Sequence, residues 1–234
     1  MIPLRDRIPT RHFPIVTVLL IAVNVAAFLY QMTLEGAGGE QALAQFVYTY
    51  GVVPARVAAG VSVPVAISFV SSMFLHGSIV HILSNMLYLW IFGNNVEDVL
   101  GRVGFLVFYF ATGFVASLAQ VLMSWGSDVP GIGASGAIAG VLAAYLVFFP
   151  RSQINTLIFL GFFVAIRSLP AILVLGLWFV LQLFNGLASF GVAQTGGVAW
   201  FAHIGGFVTG LVLAIPWIGR ARRKWAGQQS WLPQ

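Results

Sequence analysis

Residues 198–218 read VAWFAHIGGFVTGLVLAIPWI, a run without Asp, Glu, Lys or Arg. Its length meets the roughly 20 apolar residues a helix needs to cross a bilayer. The same texture recurs at about 14–32, 77–96, 103–125, 134–149 and 170–189. Composition extends this reading to the whole chain. Of 234 residues, 59% are hydrophobic and 7% charged, and the mean hydropathy is +0.95. Soluble domains carry about 25% charged residues, so this chain lacks the polar residues to cover a water-facing surface. An ordinary soluble enzyme, a disordered chain and a nucleic-acid module are excluded. The expected fold is an all-α polytopic membrane protein with six transmembrane helices. Cysteine is absent, which removes disulfides, thiolate metal sites and a Cys nucleophile.

Charge orients the spans. Arg5, Arg7, Arg11 and His12 precede the first run, which is too long for the roughly 7–15-residue core of a cleavable signal. Pro14 suits a first helical turn. A mixed stretch, 33–75, holds Glu35, Glu40, Arg56, Pro54 and Pro64 and reads as a loop in the membrane interface. Ile154–Ile166 is apolar but short, flanked by Arg151 and Arg167, and reads as interfacial or re-entrant. With six spans and the N-terminus inside, Arg5, Arg7, Arg11, Arg102, Arg151, Arg167, Arg220, Arg222, Arg223 and Lys224 all fall on the cytoplasmic side. Arg56 alone falls outside, a positive-inside pattern. That topology accounts for the net charge of +5 without nucleic acid as a partner. The expected parts are a cytoplasmic segment 1–13, a six-helix membrane domain 14–218 and a basic cytoplasmic tail 219–234.

Polar residues inside apolar runs are costly and functional by default. Span two carries His81 and Asn85, four apart and so on one helical face. Span four opens Gly131-Ile132-Gly133-Ala134-Ser135-Gly136, and span six carries His203. These three spans all run inward, so His81, Ser135 and His203 lie at one depth near the outer surface. Gly136, Gly140 and Ala144 repeat every fourth residue, as do Ala202, Gly206, Gly210 and Ala214. Such ridges let helices approach closely in a bilayer, which brings Ser135 within reach of His203. A serine beside a histidine is an activated nucleophile. No Asp or Glu shares this depth, so the site is a dyad. Backbone N–H groups at the start of span four, the Asn85 amide and the His81 imidazole supply oxyanion donors. Gly133 and Gly136 leave the backbone open to approach.

Each piece also has a plainer reading. A transmembrane serine often bonds its own backbone, G-x-S-G alone is weak, and His81 with Asn85 could simply join helices. Glu97 and Asp98 read as anchors of the inner end of span two near Arg102, His76 as a lip residue and His12 as interfacial. A metal site lacks H-E-x-x-H, cysteine and a carboxylate at this depth. A transporter would place its polar residues nearer the midplane.

Together the motifs resemble the rhomboid family of intramembrane serine proteases. The matching pieces are His76, His81 and Asn85 in H-x-x-x-x-H-x-x-x-N, Gly133-Ala134-Ser135-Gly136, and Ala202, His203, Gly206 and Gly210 in A-H-x-x-G-x-x-x-G. Gly93 through Gly101 resembles the family's close of span two, and the likeness covers about residues 12–218. The resemblance implies Ser135 as nucleophile, His203 as general base, and His81, Asn85 and the Ser135 N–H as oxyanion donors. Gly133, Gly136, Gly206, Gly210 and His76 support them, with no metal and no cofactor. It implies single-span membrane proteins as substrates, cut in the bilayer near the outer end of a span. Two positions depart from the pattern: Ala139 stands where some members stack a tyrosine on the histidine, and Ala55 precedes Arg56 where some have tryptophan. The alternative is a non-catalytic membrane protein that binds client helices. The short ends point to a plasma-membrane protein of prokaryotic type with both termini cytoplasmic. Gly191–Gly197 reads as a lid before span six. Oligomeric state has no signature in the sequence.

Overall fold

The computed structural model describes residues 1–160, 163–189 and 197–225. The apolar runs become helices α1 (Ile15–Tyr50), α4 (Ile79–Leu100), α5 (Arg102–Met123), α6 (Ser135–Phe148), α7 (Ala171–Ala188) and α8 (Trp200–Ala214). Among the described residues, four helical stretches are long and apolar enough to cross a membrane: α1, α5, α7 and Trp200–Trp225. A fifth candidate is α4 together with α3 (Val63–Ser71) and the 3-10 turn after it, a pair bent by 81°. The remaining expected span is α6, which is apolar but only 14 residues long. At 1.5 Å per residue it measures about 21 Å against a hydrocarbon core of about 30 Å.

The stretch 33–75, expected as a loop, is helical over most of its length. Helix α1 continues through it to Tyr50, broken only at Gly39, whose φ of 70° is in the left-handed region. Two short helices follow, α2 (Pro54–Ala59) and α3, each with proline in its first turn. Pro54 and Pro64 therefore start helices rather than mark a loop, because first-turn N–H groups have no intrahelical acceptor and proline loses no bond by lacking one.

The second difference lies between α6 and α7. The segment expected as interfacial or re-entrant is a β-hairpin, β2 (Gln153–Leu160) and β3 (Phe163–Pro170). A strand at the chain start, β1 (Ile2–Asp6), pairs antiparallel with β2, giving the order β1-β2-β3. Ile154 and Thr156 are buried on one face. Burial with a period of two is that of a half-buried strand. The bundle is all-α with this small sheet at the end away from Ser135.

Helix α6 is apolar all round and is enclosed by α4, α5 and α8, as a core helix should be. Its glycine ridge meets that of α8. A Cβ on Gly210 would come within 2.5 Å of the Gly140 Cα, and one on Gly206 would overlap the Gly136 carbonyl. Thr112 of α5 covers the other side of Gly140.

The opposite end is tied by carboxylates whose partners differ from expectation. Glu97 accepts hydrogen bonds from the Val16 N–H (3.0 Å), the Thr17 N–H (2.8 Å) and the Thr17 hydroxyl (2.8 Å). It caps the start of α1, where the first N–H groups lack partners, rather than its own helix. Asp98 accepts from the Arg11 N–H, pairs with His12 Nδ1 at 3.0 Å and lies beside Lys224. Of the expected tail, 219–234, the described residues reach 225 and are helical rather than a loose end. Helix α9 (Ile218–Trp225) buries Ala221 and Trp225, with the indole edge-on to Phe149.

Candidate active site

The turn into α6 is held from two sides. Val52 and Gly131 exchange backbone hydrogen bonds of 3.0 and 2.8 Å, and the Gly133 N–H donates to the Ser72 carbonyl at 2.8 Å. The helical first loop thus fixes where α6 begins. Gly133 has φ of +122°, and a Cβ there would lie 2.8 Å from His81 Nε2 and 3.7 Å from Ser135 Oγ. Only glycine fits both the backbone and the gap. Ser135 is the first residue of α6, and the first intrahelical acceptor, the Ala134 carbonyl, takes the Ile138 N–H. The N–H groups of Ser135, Gly136 and Ala137 precede the helical ladder and give the helix start its affinity for anions.

His203 sits in the first turns of α8 and is buried. Its Nε2 is 2.8 Å from Ser135 Oγ, so the two residues that the sequence placed at one depth are in hydrogen-bond contact. Its Nδ1 is 2.7 Å from Gln182 Oε1 on α7. Trp178 lies against the imidazole at 5.7 Å, and Trp200 meets it edge-on at 6.3 Å. Ala139 is fully buried in α6. The ring contacts that hold the imidazole therefore come from α7 and α8.

His81 begins α4. The Ser78 hydroxyl caps this helix by accepting the His81 N–H at 3.1 Å. The Gly77 N–H points at His81 Nδ1 at 3.4 Å, which makes Nδ1 the acceptor and leaves Nε2 as a donor facing the gap over Gly133. Asn85 follows one turn later and is buried, and its Nδ2 has no hydrogen-bond partner among the described residues. His76 is not at the lip: it is 1% exposed, its ring 4.9 Å from that of His81. The Gln31 side chain grips both backbone groups of His76 at 3.0 and 3.1 Å. Arg56, after Ala55, bonds the Tyr48 and Thr49 carbonyls at the end of α1, so the first loop is ordered without a tryptophan partner.

A cavity of about 780 Å³ adjoins these groups, lined in part by Gly77, His81, Gly133, Ser135, Trp200 and Ala202. It has room for an extended peptide segment beside the serine. Of the suggested lid, Gly191–Gly197, only Gly197 is among the described residues. Gln182 escaped the sequence reading. Its one available signal was an amide inside the apolar run 170–189.

The Rhomboid domain family model matches residues 64–220. The chain is 32% identical over 160 residues to RHOMBOID-like protein 4 of Arabidopsis thaliana, covering 68% of this chain and 36% of that protein. It is 30% identical over 142 residues to Presenilin-associated rhomboid-like protein A, mitochondrial, of Danio rerio, covering 58% of this chain and 37% of the relative. Against Rhomboid protein 1, mitochondrial, of Saccharomyces cerevisiae, the identity is 29% over 151 residues, covering 62% and 40%. The chain thus spans under half the length of these relatives.

Proposed function

The chain belongs to the rhomboid family, and on that premise we propose that it is an intramembrane serine endopeptidase. The observation that carries the proposal is the 2.8 Å contact between Ser135 Oγ and His203 Nε2 beside the cavity. In this reading Ser135 Oγ attacks a peptide carbonyl while His203 Nε2 takes its proton. Negative charge then grows on the carbonyl oxygen in the gap over Gly133. The Ser135 N–H, His81 Nε2 and the Asn85 amide donate to it. As the intermediate collapses, the C–N bond breaks and His203 returns the proton to the leaving amine. Water repeats the sequence on the acyl-serine and frees the enzyme.

Substrates are membrane proteins cut in or near a transmembrane segment, since the site lies among spanning helices. A peptide bond within a helix is shielded, so helix-weak segments enter the cavity most readily. The membrane is the protein's setting. In this reading both basic ends lie on the cytoplasmic side, as the positive-inside rule favours, and the site faces the outer side of a plasma membrane. Since α6 is about 9 Å shorter than the hydrocarbon core, the nucleophile is recessed and water reaches it through the cavity.

The test is cleavage of a single-span reporter with a glycine-containing segment by purified protein in detergent. The wild type should cleave it, and Ser135→Ala and His203→Ala should each lose several orders of magnitude. A folded wild type that neither cleaves nor reacts with a fluorophosphonate would favour client binding instead.

A further inference from the structure

Helix α7 packs through Ala171, Val174, Leu175, Gln182 and Gly186, and Gln182 is the polar side chain in that set. An amide in an apolar setting is costly unless bonded at both ends. Here both ends are bonded. Gln182 Nε2 donates to the Trp178 carbonyl at 3.3 Å, and Oε1 lies 2.7 Å from His203 Nδ1. The amide cannot be turned round. A carbonyl only accepts, so the nitrogen must face Trp178 and the oxygen must face the imidazole.

This orientation has a consequence for the imidazole. An amide oxygen carries no proton, so His203 Nδ1 must be the donor. The neutral ring then has its lone pair on Nε2, the atom 2.8 Å from Ser135 Oγ. The other tautomer would set a lone pair against the Gln182 oxygen and an N–H against the serine hydroxyl. It could not take the Ser135 proton.

We propose that Gln182 is the positioning residue of the dyad: its side-chain oxygen accepts the Nδ1–H of His203 and holds the imidazole in the tautomer that can deprotonate Ser135. This rests on the protease reading above. The Nδ1 proton stays on His203 throughout, and the proton in transit moves from Ser135 Oγ to Nε2 and on to the leaving amine. Gln182 therefore takes the orienting place an acid holds in a triad, without the desolvation penalty of a buried carboxylate. The assignment also explains how His203 is held with Ala139 in α6.

The experiment compares wild type with Gln182→Leu and Gln182→Glu in detergent. Leucine fits an apolar helix and removes the acceptor, whereas glutamate keeps an oxygen at the same reach. Three readouts are taken: kcat and KM on the reporter, thermal unfolding, and the ¹⁵N spectrum of ring-labelled histidine. Gln182→Leu should keep its KM, lose about 10–100-fold in kcat, and replace the single Nδ1–H signature of His203 with a tautomer mixture. Gln182→Glu should recover most of the kcat and the single signature. Unchanged kcat and tautomer in Gln182→Leu, with or without a lower unfolding temperature, would overturn the proposal. A wild type that neither cleaves nor labels overturns the protease reading instead. The histidine spectrum of the same protein still reports whether Gln182 sets the ring.

Discussion

Gly206 stands three residues beyond His203 on α8 and faces the carbonyl of Gly136, the residue after Ser135. A Cβ placed there comes within 2.9 Å of the Gly136 carbonyl carbon and nearer still to its oxygen, with Ala116 Cβ at 3.3 Å on the other side. Non-bonded carbons rest at about 3.5–4.0 Å. The obstructing atoms are backbone, so no rotamer change relieves them. Gly206→Ala should push α8 from α6 by about 1 Å, and overpacking of this kind costs about 1–3 kcal/mol. The same displacement lengthens the Ser135–His203 contact from 2.8 Å. It becomes about 3.8 Å, beyond hydrogen-bond range. Turnover should then fall by what a positioned base supplies, about 10²–10⁴-fold. Gly176 is the control: it lies within α7 and a Cβ there meets nothing within 4 Å. Gly176→Ala should keep full activity and gain up to about 1 kcal/mol. The assay pairs reporter cleavage with thermal unfolding of both variants. Gly206→Ala cleaving at the wild-type rate would refute the argument that the glycine ridges set the dyad distance.

Three further outcomes follow from the other end of the bundle. Glu97→Gln should lower stability by about 1.5–3 kcal/mol, because one of its oxygens becomes a donor facing the N–H groups that start α1; unfolding in detergent reads this directly. Burial raises the Asp6 carboxyl from 3.8 to about 6, against the hydrogen bond from Tyr145. The folded state therefore holds a proton that the unfolded chain has released, and stability falls as pH rises from about 4 to 6, by up to about 3 kcal/mol. Asp6→Asn should flatten that slope, and a slope equal to wild type would count against it. Ending the chain after Arg220 removes the buried Trp225, and losing such a residue costs about 3–5 kcal/mol. Turnover per folded molecule should persist, since Trp225 packs on Phe149, about 20 Å along α6 from Ser135.

The apolar helices were legible because most carry roughly a bilayer's thickness of apolar residues, whereas α6, with 14, falls short of one. The nearness of Ser135 to His203 was legible because charge topology and glycine spacing independently pointed to it. What escaped was set by tertiary context. The hairpin β2–β3 hid because an apolar stretch flanked by arginines has the same composition whether it is a strand or an interfacial helix; QINTLIFL shows no apolar–polar alternation, and only the fold buries Ile154 and Thr156 on one face. The first loop hid because Pro54 and Pro64 read equally as breakers and as helix starters. Glu97 was seen to be an anchor, but nothing local says that its partner is the start of α1, 80 residues away at Thr17. Gln182 is likewise a long-range partner, and only the packing of α7 on α8 brings it to His203.

The most direct measurement of the central claim is covalent labelling with a fluorophosphonate, mapped by mass spectrometry. The wild type should carry one modified residue, Ser135, and a folded His203→Ala should lose the labelling. Labelling elsewhere, or equal labelling of Ser135 without His203, would contradict it.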